Sequence, residues 1–305
     1  MANQQDLNIT YSTIDEVFRL SMGEMADFSC AKYDGDFSMP LEEAQKAKHR
    51  FIAESLNIKK GSRVIDLGCG WGPFLRYIKD EIGAEGIGLT LSDEQAKACR
   101  KNGLKVYVKD CRNVKPEDFG KFDAVVSMGA MEHFCSLEEY KAGRQEEIYR
   151  SFYKSVFDLL KDNGKAFIQT MVFSKNMIPY EQFDIDAPVG TPPRMLAIMT
   201  KEFPGSWLPY GKEMVLHTAE PYFKPQYISS GRLDYIETIN QWRGRFRKFN
   251  LKKYMIYLKH VPAYIFNKDF RRRAESLITT PNQTCFELEI MDHYRVVFQK
   301  AVLHS

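Results

Sequence analysis

The chain has 305 residues, 44% of them hydrophobic and 27% charged, a composition far from that of disordered, collagenous or membrane-spanning proteins. Its 43 Lys and Arg against 40 Asp and Glu leave a formal charge of +3, too small for global charge to argue nucleic-acid binding, so any anionic partner has to be met locally. Six cysteines without CxxC or zinc-type spacing read as reduced thiols, no metal site is expected, and a polar opening with no long apolar run reads as a cytoplasmic protein.

Residues 1–60 read as a helical cover. IDEVFRLSM spaces apolar groups at helical intervals, and PLEEAQKAKHRFIAESL places Pro40 at the first helical position with acids in the first turn; FSCAKY between them is irregular. From 61 to 172 strand and helix alternate: RVIDL, a helix from Trp71 to about Ile82, GIGLT, a helix from Ser92 to Asn102, KVYVK, FDAVVSM, a long helix from Arg144 to Leu160, and KAFIQTM. Apolar β-branched runs separated by amphipathic helices mark a parallel sheet buried on both faces, which makes the fold class α/β and doubly wound. Residues 173–280 carry eight prolines between Pro179 and Pro225 and read as an insertion above the carboxyl ends of the strands, returning to the sheet only near the end. Residues 281–305 then supply a helix and the closing strand HYRVVFQKA.

RVID runs into LGCGWG, placing Gly68, Gly70 and Gly72 in a G-x-G-x-G turn where bare backbone can approach a ligand. Nicotinamide enzymes use a related turn but need glycine or alanine at the sixth position, where Pro73 stands. Asp66, directly before the turn, suits a ligand with a cationic amino-acid moiety such as S-adenosylmethionine.

With GLTLS and Gln95, VVSMGAMEHF, FSCAKY and PLEEAQKAK near the start, and EFPGSWLP in the insertion, the sequence resembles the cyclopropane fatty acid synthase family of S-adenosylmethionine-dependent methyltransferases, which includes the mycolic acid cyclopropane synthases. The resemblance runs from about Phe18 to the end and fades over 240–280. It implies a class I methyltransferase with a Rossmann-like sheet, a helical N-terminal segment and a lid inserted after the fifth strand. It further implies that Phe28 and Ser29 cover the cofactor, that Gly68 and Gly70 approach its methionine part, that Thr90, Leu91 and Gln95 surround ribose and adenine, and that Asp110 and Cys111 meet the adenine edge. Strand packing alone also accounts for Thr90 and Leu91.

The implied reaction adds a methyl group to an alkene carbon of an unsaturated lipid. A π bond is a poor nucleophile and its attack leaves a carbocation, so the site must be dry and must hold a base. In the family that base is a bound bicarbonate, whose holders map onto Cys30, Glu132 and Tyr235, with histidine expected where Gln169 stands. Glutamine can donate a hydrogen bond but cannot carry charge or shuttle a proton, which leaves the bicarbonate in doubt and Glu132 as a candidate base. Asp234 also stands where the family commonly has histidine, making the expected pocket more acidic than the usual pattern. A helix cap also accounts for Glu132 and His133, and core packing for Cys30 and Tyr235. Trp71 and Trp207 read as packing residues, and His217 and His260 show no partner.

Gln241 to Arg273 holds eleven Lys or Arg and one acid, Asp269, with eight aromatics interleaved. Such a stretch suits an anionic membrane surface, an anionic lipid head group or a nucleic acid, and a solvated helix face accounts for it as well. Of these partners, nucleic acid is not expected. Two alkene substrates compete: an unsaturated acyl lipid, or an isoprenyl diphosphate such as farnesyl or geranyl diphosphate, clamped by several of Arg243, Arg245, Arg247, Lys252, Lys253 and Arg271–Arg273. Methylation of a small metabolite, and a non-catalytic protein that binds S-adenosylmethionine or lipid, are further readings.

Overall fold

Pro40 holds an extended backbone (φ −61°, ψ 148°) and releases the chain into α1 (Leu41–Ser55), whose first turn carries Glu42 and Glu43 against the positive end of the helix dipole. Pro40 is therefore the cap, one residue before the expected position. The protein is described by a computed structural model over residues 27–203, 205–267 and 281–302; the expected helix in IDEVFRLSM and the Arg271–Arg273 run lie outside the described residues. After α1 come β1 (Arg63–Leu67), α2 (Pro73–Tyr77) extended by one π turn, β2 (Glu85–Thr90), α3 (Asp93–Lys101), β3 (Lys105–Val108), α4 (Pro116–Phe119), β4 (Phe122–Met128), α5 (Leu137–Lys141), α6 (Gln145–Leu159) and β5 (Leu160–Phe173). The second half contributes α7 (Pro192–Glu202), α8 (Gly211–Ala219), β6 (Phe223–Ser230), α9 (Arg232–Arg247), α10 (Leu251–Phe266), α11 (Pro281–Glu287) and β7 (Met291–Lys300).

The seven strands form one sheet in the order β3-β2-β1-β4-β5-β7-β6. β1 to β5 pair in parallel, and β7 lies antiparallel between β5 and β6. On one face α6 packs Tyr149, Phe152, Tyr153 and Val156 against Ile65, Val125, Ile168 and Phe298. On the other, Ile52 of α1 and Phe74 and Leu75 of α2 cover Val64, Val126 and Phe167. The strands are apolar on both sides because both sides are covered, which is the expected doubly wound α/β arrangement.

One expectation is corrected. The proline-rich segment returns to the sheet well before the chain's end, because Phe223–Ser230 forms the edge strand β6. Pro225 sits within it, at a register shift between Pro225 and Tyr227. Proline lacks the amide that a central strand would donate, and an edge position with a bulge tolerates that loss.

A third apolar cluster lies outside the sheet. It joins Cys30, Ala31 and Tyr33 of the irregular N-terminal stretch to Trp207, to Tyr235 and Trp242 of α9, and to Phe286 of α11. This cluster covers the carboxyl ends of the strands, the place where open α/β sheets bind ligands.

Candidate functional site

Nine of the ten sequence-predicted cofactor residues line one pocket: Phe28, Ser29, Gly68, Gly70, Thr90, Leu91, Gln95, Asp110 and Cys111. Met128, Gly129, Ala130, His133 and Trp71 complete part of its wall. The pocket opens to solvent and offers about 170 Å³. Trp71 thus faces the pocket as well as packing, while Trp207 is a core residue, 1% exposed.

Gly68 and Gly70 are glycines for different reasons. Gly68 has φ +96°, and a Cβ there would stand 2.7 Å from the Ala130 Cβ. Gly70 has φ +54° and open space where a Cβ would be, so the left-handed turn itself asks for glycine. Ser92 caps α3 by accepting the Gln95 amide at 3.3 Å, and the Thr90 hydroxyl donates to Gln95 Oε1 at 2.6 Å. The Gln95 amide nitrogen is left as the donor end. Asp110 takes Arg112 Nε on both oxygens; partial burial opposes ionisation, but the Arg112 hydrogen bonds outweigh it and hold the carboxyl below its ordinary value.

Asp66, the tenth residue, is not on the pocket wall. It closes β1, is 1% exposed, and neither carboxylate oxygen has a hydrogen-bond partner among the described residues. Burial, with Asp27 nearby adding repulsion, pushes its pKa up to about 8. A buried carboxylate without a donor is costly, and a bound cation would relieve it.

The stretch before α1 is held by charges that the sequence reading missed. Asp27 accepts Lys48 Nζ at 2.5 Å, His49 Nε2 at 3.0 Å and the Ser29 hydroxyl at 2.7 Å, all buried. Burial alone would raise Asp27, but Lys48 and His49 hold it well below the usual carboxylate range. Ala44, Gln45, Lys48, His49 and Ile52 are all buried on α1, so the signal was a Lys-His pair on the apolar face of a helix. Together these residues fix Phe28 and Ser29 over the pocket.

Behind the pocket the structure brings Cys30, Glu132, Gln169 and Tyr235 into one buried region. Met128 of β4 pairs with Gln169 of β5, which sets Gln169 level with the end of β4. Gln169 Nε2 donates to the Cys30 carbonyl at 3.3 Å, and its Oε1 is unpartnered among the described residues. Glu132, 2% exposed, follows β4 in a short 3-10 turn; its Oε1 accepts the Met171 amide at 2.8 Å. Its Oε2 makes no hydrogen bond among the described residues, although the Thr170 hydroxyl is near enough to the carboxyl to favour its ionised form, and a Cβ on the pocket residue Gly129 would lie 3.8 Å from Oε2. Burial pushes Glu132 up to about 7. The cap of the following helix α5 is Ser136, paired with Glu139, so capping does not explain Glu132.

Two groups of this region come from HYRVVFQKA and were not anticipated. Arg295, 2% exposed, donates to Asp234 Oδ2 at 2.8 Å, to the Ala31 carbonyl at 2.6 Å and reaches Cys30 Sγ at 3.2 Å. Asp234 is therefore neutralised by a buried partner, and the expectation of a more acidic pocket is corrected. His293, 2% exposed, packs edge-on to Tyr235 at 5.2 Å and burial holds it well below its ordinary pKa. Burial pushes the Cys30 thiol up to about 12, so it stays protonated. An arginine inside an apolar strand was the available signal for this cluster.

The expected diphosphate clamp is not assembled among the described residues. Arg243 donates to Gln283 at 2.9 Å, Arg245 pairs with Glu42, and Lys253 is 3% exposed with Nζ on the Phe246 and Lys248 carbonyls. His217, read as having no partner, lies 2.6 Å from Arg150 Nη2 and 3.6 Å from Glu146.

Comparison with known proteins bears on this site. Residues 1–289 match the family described as mycolic acid cyclopropane synthetase. Hydroxymycolate synthase MmaA4 of Mycobacterium tuberculosis is 30% identical over 244 residues, covering 78% of this chain and 76% of that protein. Cyclopropane mycolic acid synthase 2 of the same organism is 28% identical over 236 residues, 76% of each chain. The crystal structure of mycolic acid cyclopropane synthase CmaA1 complexed with SAH and CTAB superposes with a TM-score of 0.76 at 22% identity, over 98% of this chain and 99% of that one. With 289 of its 305 residues matched to the family, the chain belongs to the mycolic acid cyclopropane synthetase family.

Proposed function

We propose that the chain is an S-adenosylmethionine-dependent C-methyltransferase acting on an alkene carbon of an unsaturated acyl lipid. Relatives in the family are named cyclopropane mycolic acid synthase and S-adenosylmethionine-dependent methyltransferase. The residues fit that cofactor on a physical ground: the two unpartnered Asp66 oxygens lie at the turn where an ammonium group would neutralise them. Phe28 and Ser29 would cover it, Gly68 and Gly70 would border its amino-acid part, and Thr90, Leu91, Gln95, Asp110 and Cys111 its nucleoside. His133, pushed down to about 4 by burial, stays neutral beside a cation. When bound, the cofactor supplies an electrophilic methyl group.

The observation that carries the reading is the free oxygen of Glu132, buried next to Gly129 on the pocket wall. Methyl transfer to an alkene leaves a carbocation on the substrate, and closing a ring or forming a branched alkene requires a proton acceptor in a dry site. A carboxyl held near 7 by burial, one oxygen anchored on the Met171 amide and the other free, has the position and basicity for that step. Gln169 uses one of its two amide hydrogens on Cys30, and Arg295 uses Nη1 and Nη2 on Asp234, Ala31 and Cys30, with Nε unpartnered among the described residues. Glu132 itself is the base in this reading, with Tyr235 and Cys30 shaping the wall.

Mass spectrometry after incubation with S-adenosylmethionine and unsaturated phospholipid vesicles, or with farnesyl or geranyl diphosphate, tests the substrate. One added CH₂ on the acyl chain supports the proposal; one added CH₂ on the diphosphate, or no product from any of the three, overturns it. Glu132→Gln is expected to lose at least about a hundredfold in turnover, the usual worth of a general base, with cofactor affinity within a factor of two. At saturating cofactor, where Asp66 is already paired, kcat should rise with pH through about 7 and then level off, because the base must be ionised. An unchanged rate in Glu132→Gln removes it from the chemistry.

A further inference from the structure

Helix α10 leaves most of its apolar surface to solvent. Lys253, Ile256, His260 and Ala263 recur at i, i+3, i+7 and i+10 and form its least exposed side, where Lys253 is 3% exposed. Its opposite side carries Leu251, Met255, Leu258, Pro262 and Phe266 at i, i+4, i+7, i+11 and i+15. Leu251 is 67%, Met255 61%, Leu258 66% and Phe266 86% exposed, and Phe249 just before the helix is 78% exposed. A helix packed on a protein normally buries such a stripe and presents its lysine to water. Here the lysine folds back on the end of α9, with Nζ donating to the carbonyls of Phe246 and Lys248, and the apolar stripe faces out.

The surroundings of the stripe select its occupant. Lys252 and Lys259 stand along one edge of it, and Arg247 and Lys248 are exposed in the turn that precedes it. No acidic residue occurs between Glu237 and Asp269. Tyr254 and Tyr257, 45% and 41% exposed with ring centroids 6.1 Å apart, add amphipathic rings of the kind that settle at the boundary between head groups and acyl chains. An apolar stripe edged by basic groups and free of acids matches a bilayer interface carrying anionic lipid. A second copy of the chain docked about a two-fold axis would set the same lysines and arginines against each other, which disfavours it.

We infer that α10 is a peripheral membrane-docking helix that lies in the plane of an anionic bilayer, with Leu251, Met255, Leu258 and Phe266 inserted at the acyl boundary. The helix is linked by the short Lys248–Asn250 turn to α9, whose Trp242 stacks on the pocket residue Phe28 at 5.1 Å. Docking therefore places at the lipid surface a helix joined directly to the one that backs Phe28. The inference stands on the exposed helix and does not depend on the reaction assigned to the pocket.

Sedimentation with vesicles, without any turnover, tests it. The full-length chain is expected to bind vesicles of mixed phosphatidylglycerol and phosphatidylcholine at least tenfold more tightly than vesicles of phosphatidylcholine alone. Met255→Asp/Leu258→Asp should lose at least tenfold in binding to the mixed vesicles. Lys252→Glu/Lys259→Glu should lose most of the preference for anionic lipid. S-adenosylhomocysteine affinity, measured by calorimetry, should stay within twofold in both variants, which shows that they are folded. Absence of binding by the parent chain, or equal binding by the Met255/Leu258 variant, overturns the proposal. So does a concentration-dependent dimer in light scattering that the Met255/Leu258 variant dissolves, since the stripe would then belong to a second copy.

Discussion

Asp66 and Glu132 are both buried carboxyls with unpaired oxygens, and their environments give them different uses. Glu132 keeps one oxygen on a backbone amide, whereas Asp66 has no donor on either and is repelled by Asp27, so Asp66 is held higher, at about 8 against about 7. Without ligand, Asp66 binds a proton in the folded state that it releases in the unfolded state between about pH 4 and 8. Stability from this group is thus present at low pH and lost as pH rises through that window. Asp66→Asn removes the penalty. The cofactor-free variant should gain stability over the parent at pH 8 to 9, by an amount on the order of 3 kcal/mol, and little at pH 5; thermal unfolding at the two pH values measures this. The same variant should lose at least tenfold in S-adenosylhomocysteine affinity by calorimetry, while the parent's affinity weakens as pH falls from 8 to 6 because Asp66 must ionise to pair with the ligand's ammonium group. A variant that binds as tightly as the parent would show that the carboxylate has another purpose.

At the scale of elements, the irregular stretch over 27–40 behaves as a built part of the site although it has no regular secondary structure. It is pinned by Lys48 and His49 from α1 and by Thr238 from α9, whose hydroxyl accepts the Ala31 amide at 3.1 Å. Lys48→Met leaves the Asp27 carboxylate buried with only His49 and Ser29, a loss of about 3–5 kcal/mol for breaking a buried pair from one side. Asp27 is depressed in the parent, so its contribution is present at neutral pH and fades only in acid; in the variant the destabilisation should be largest at pH 7 to 8 and shrink towards pH 4, as the orphaned carboxyl takes up a proton. Chemical denaturation across that range checks the sign, and a constant deficit would mean that packing dominates. The parallel core was legible in the sequence because β1, β2, β4 and β5 are apolar runs and Ser92, Gly68 and Gly70 punctuate them with specific turn chemistry. β6 was not, since Pro225 and five consecutive exposed residues remove both the strand propensity and the burial pattern that a reader relies on. The pocket was legible for a similar reason: seven of the residues expected around the cofactor, Gly68, Gly70, Thr90, Leu91, Gln95, Asp110 and Cys111, sit where strands pass into the helical turns that follow, and their sequence is local.

The region behind the pocket was only partly legible because its contacts are made by the whole molecule. Cys30, Glu132, Gln169 and Tyr235 follow from motif resemblance, but Arg295, which ties Cys30 to Asp234, lies 265 residues from the first and 61 from the second. No local pattern announces a contact of that separation, which exists only once β7 has inserted between β5 and β6. Arg295 links the N-terminal stretch, α9 and the last strand at one point, so its loss should be felt as weaker closure of the fold as a whole. Arg295→Met keeps much of the volume but leaves Asp234 buried and unpaired, at a cost of about 3–5 kcal/mol. Adding Asp234→Asn removes the stranded charge and keeps an oxygen to accept the Tyr33 amide, now at 3.3 Å from Asp234 Oδ1. The double variant should therefore recover at least half of the lost stability, the two changes being strongly non-additive. Contacts of such separation form late in folding, so the single variant should mainly unfold faster, with its refolding rate little changed. Denaturant unfolding and refolding rates of the single and double variants decide this: additive losses would mean that Arg295 acts through its packing and its hydrogen bond to Ala31, whereas recovery in the double variant identifies the ion pair as the tie that closes the N-terminal stretch onto the sheet.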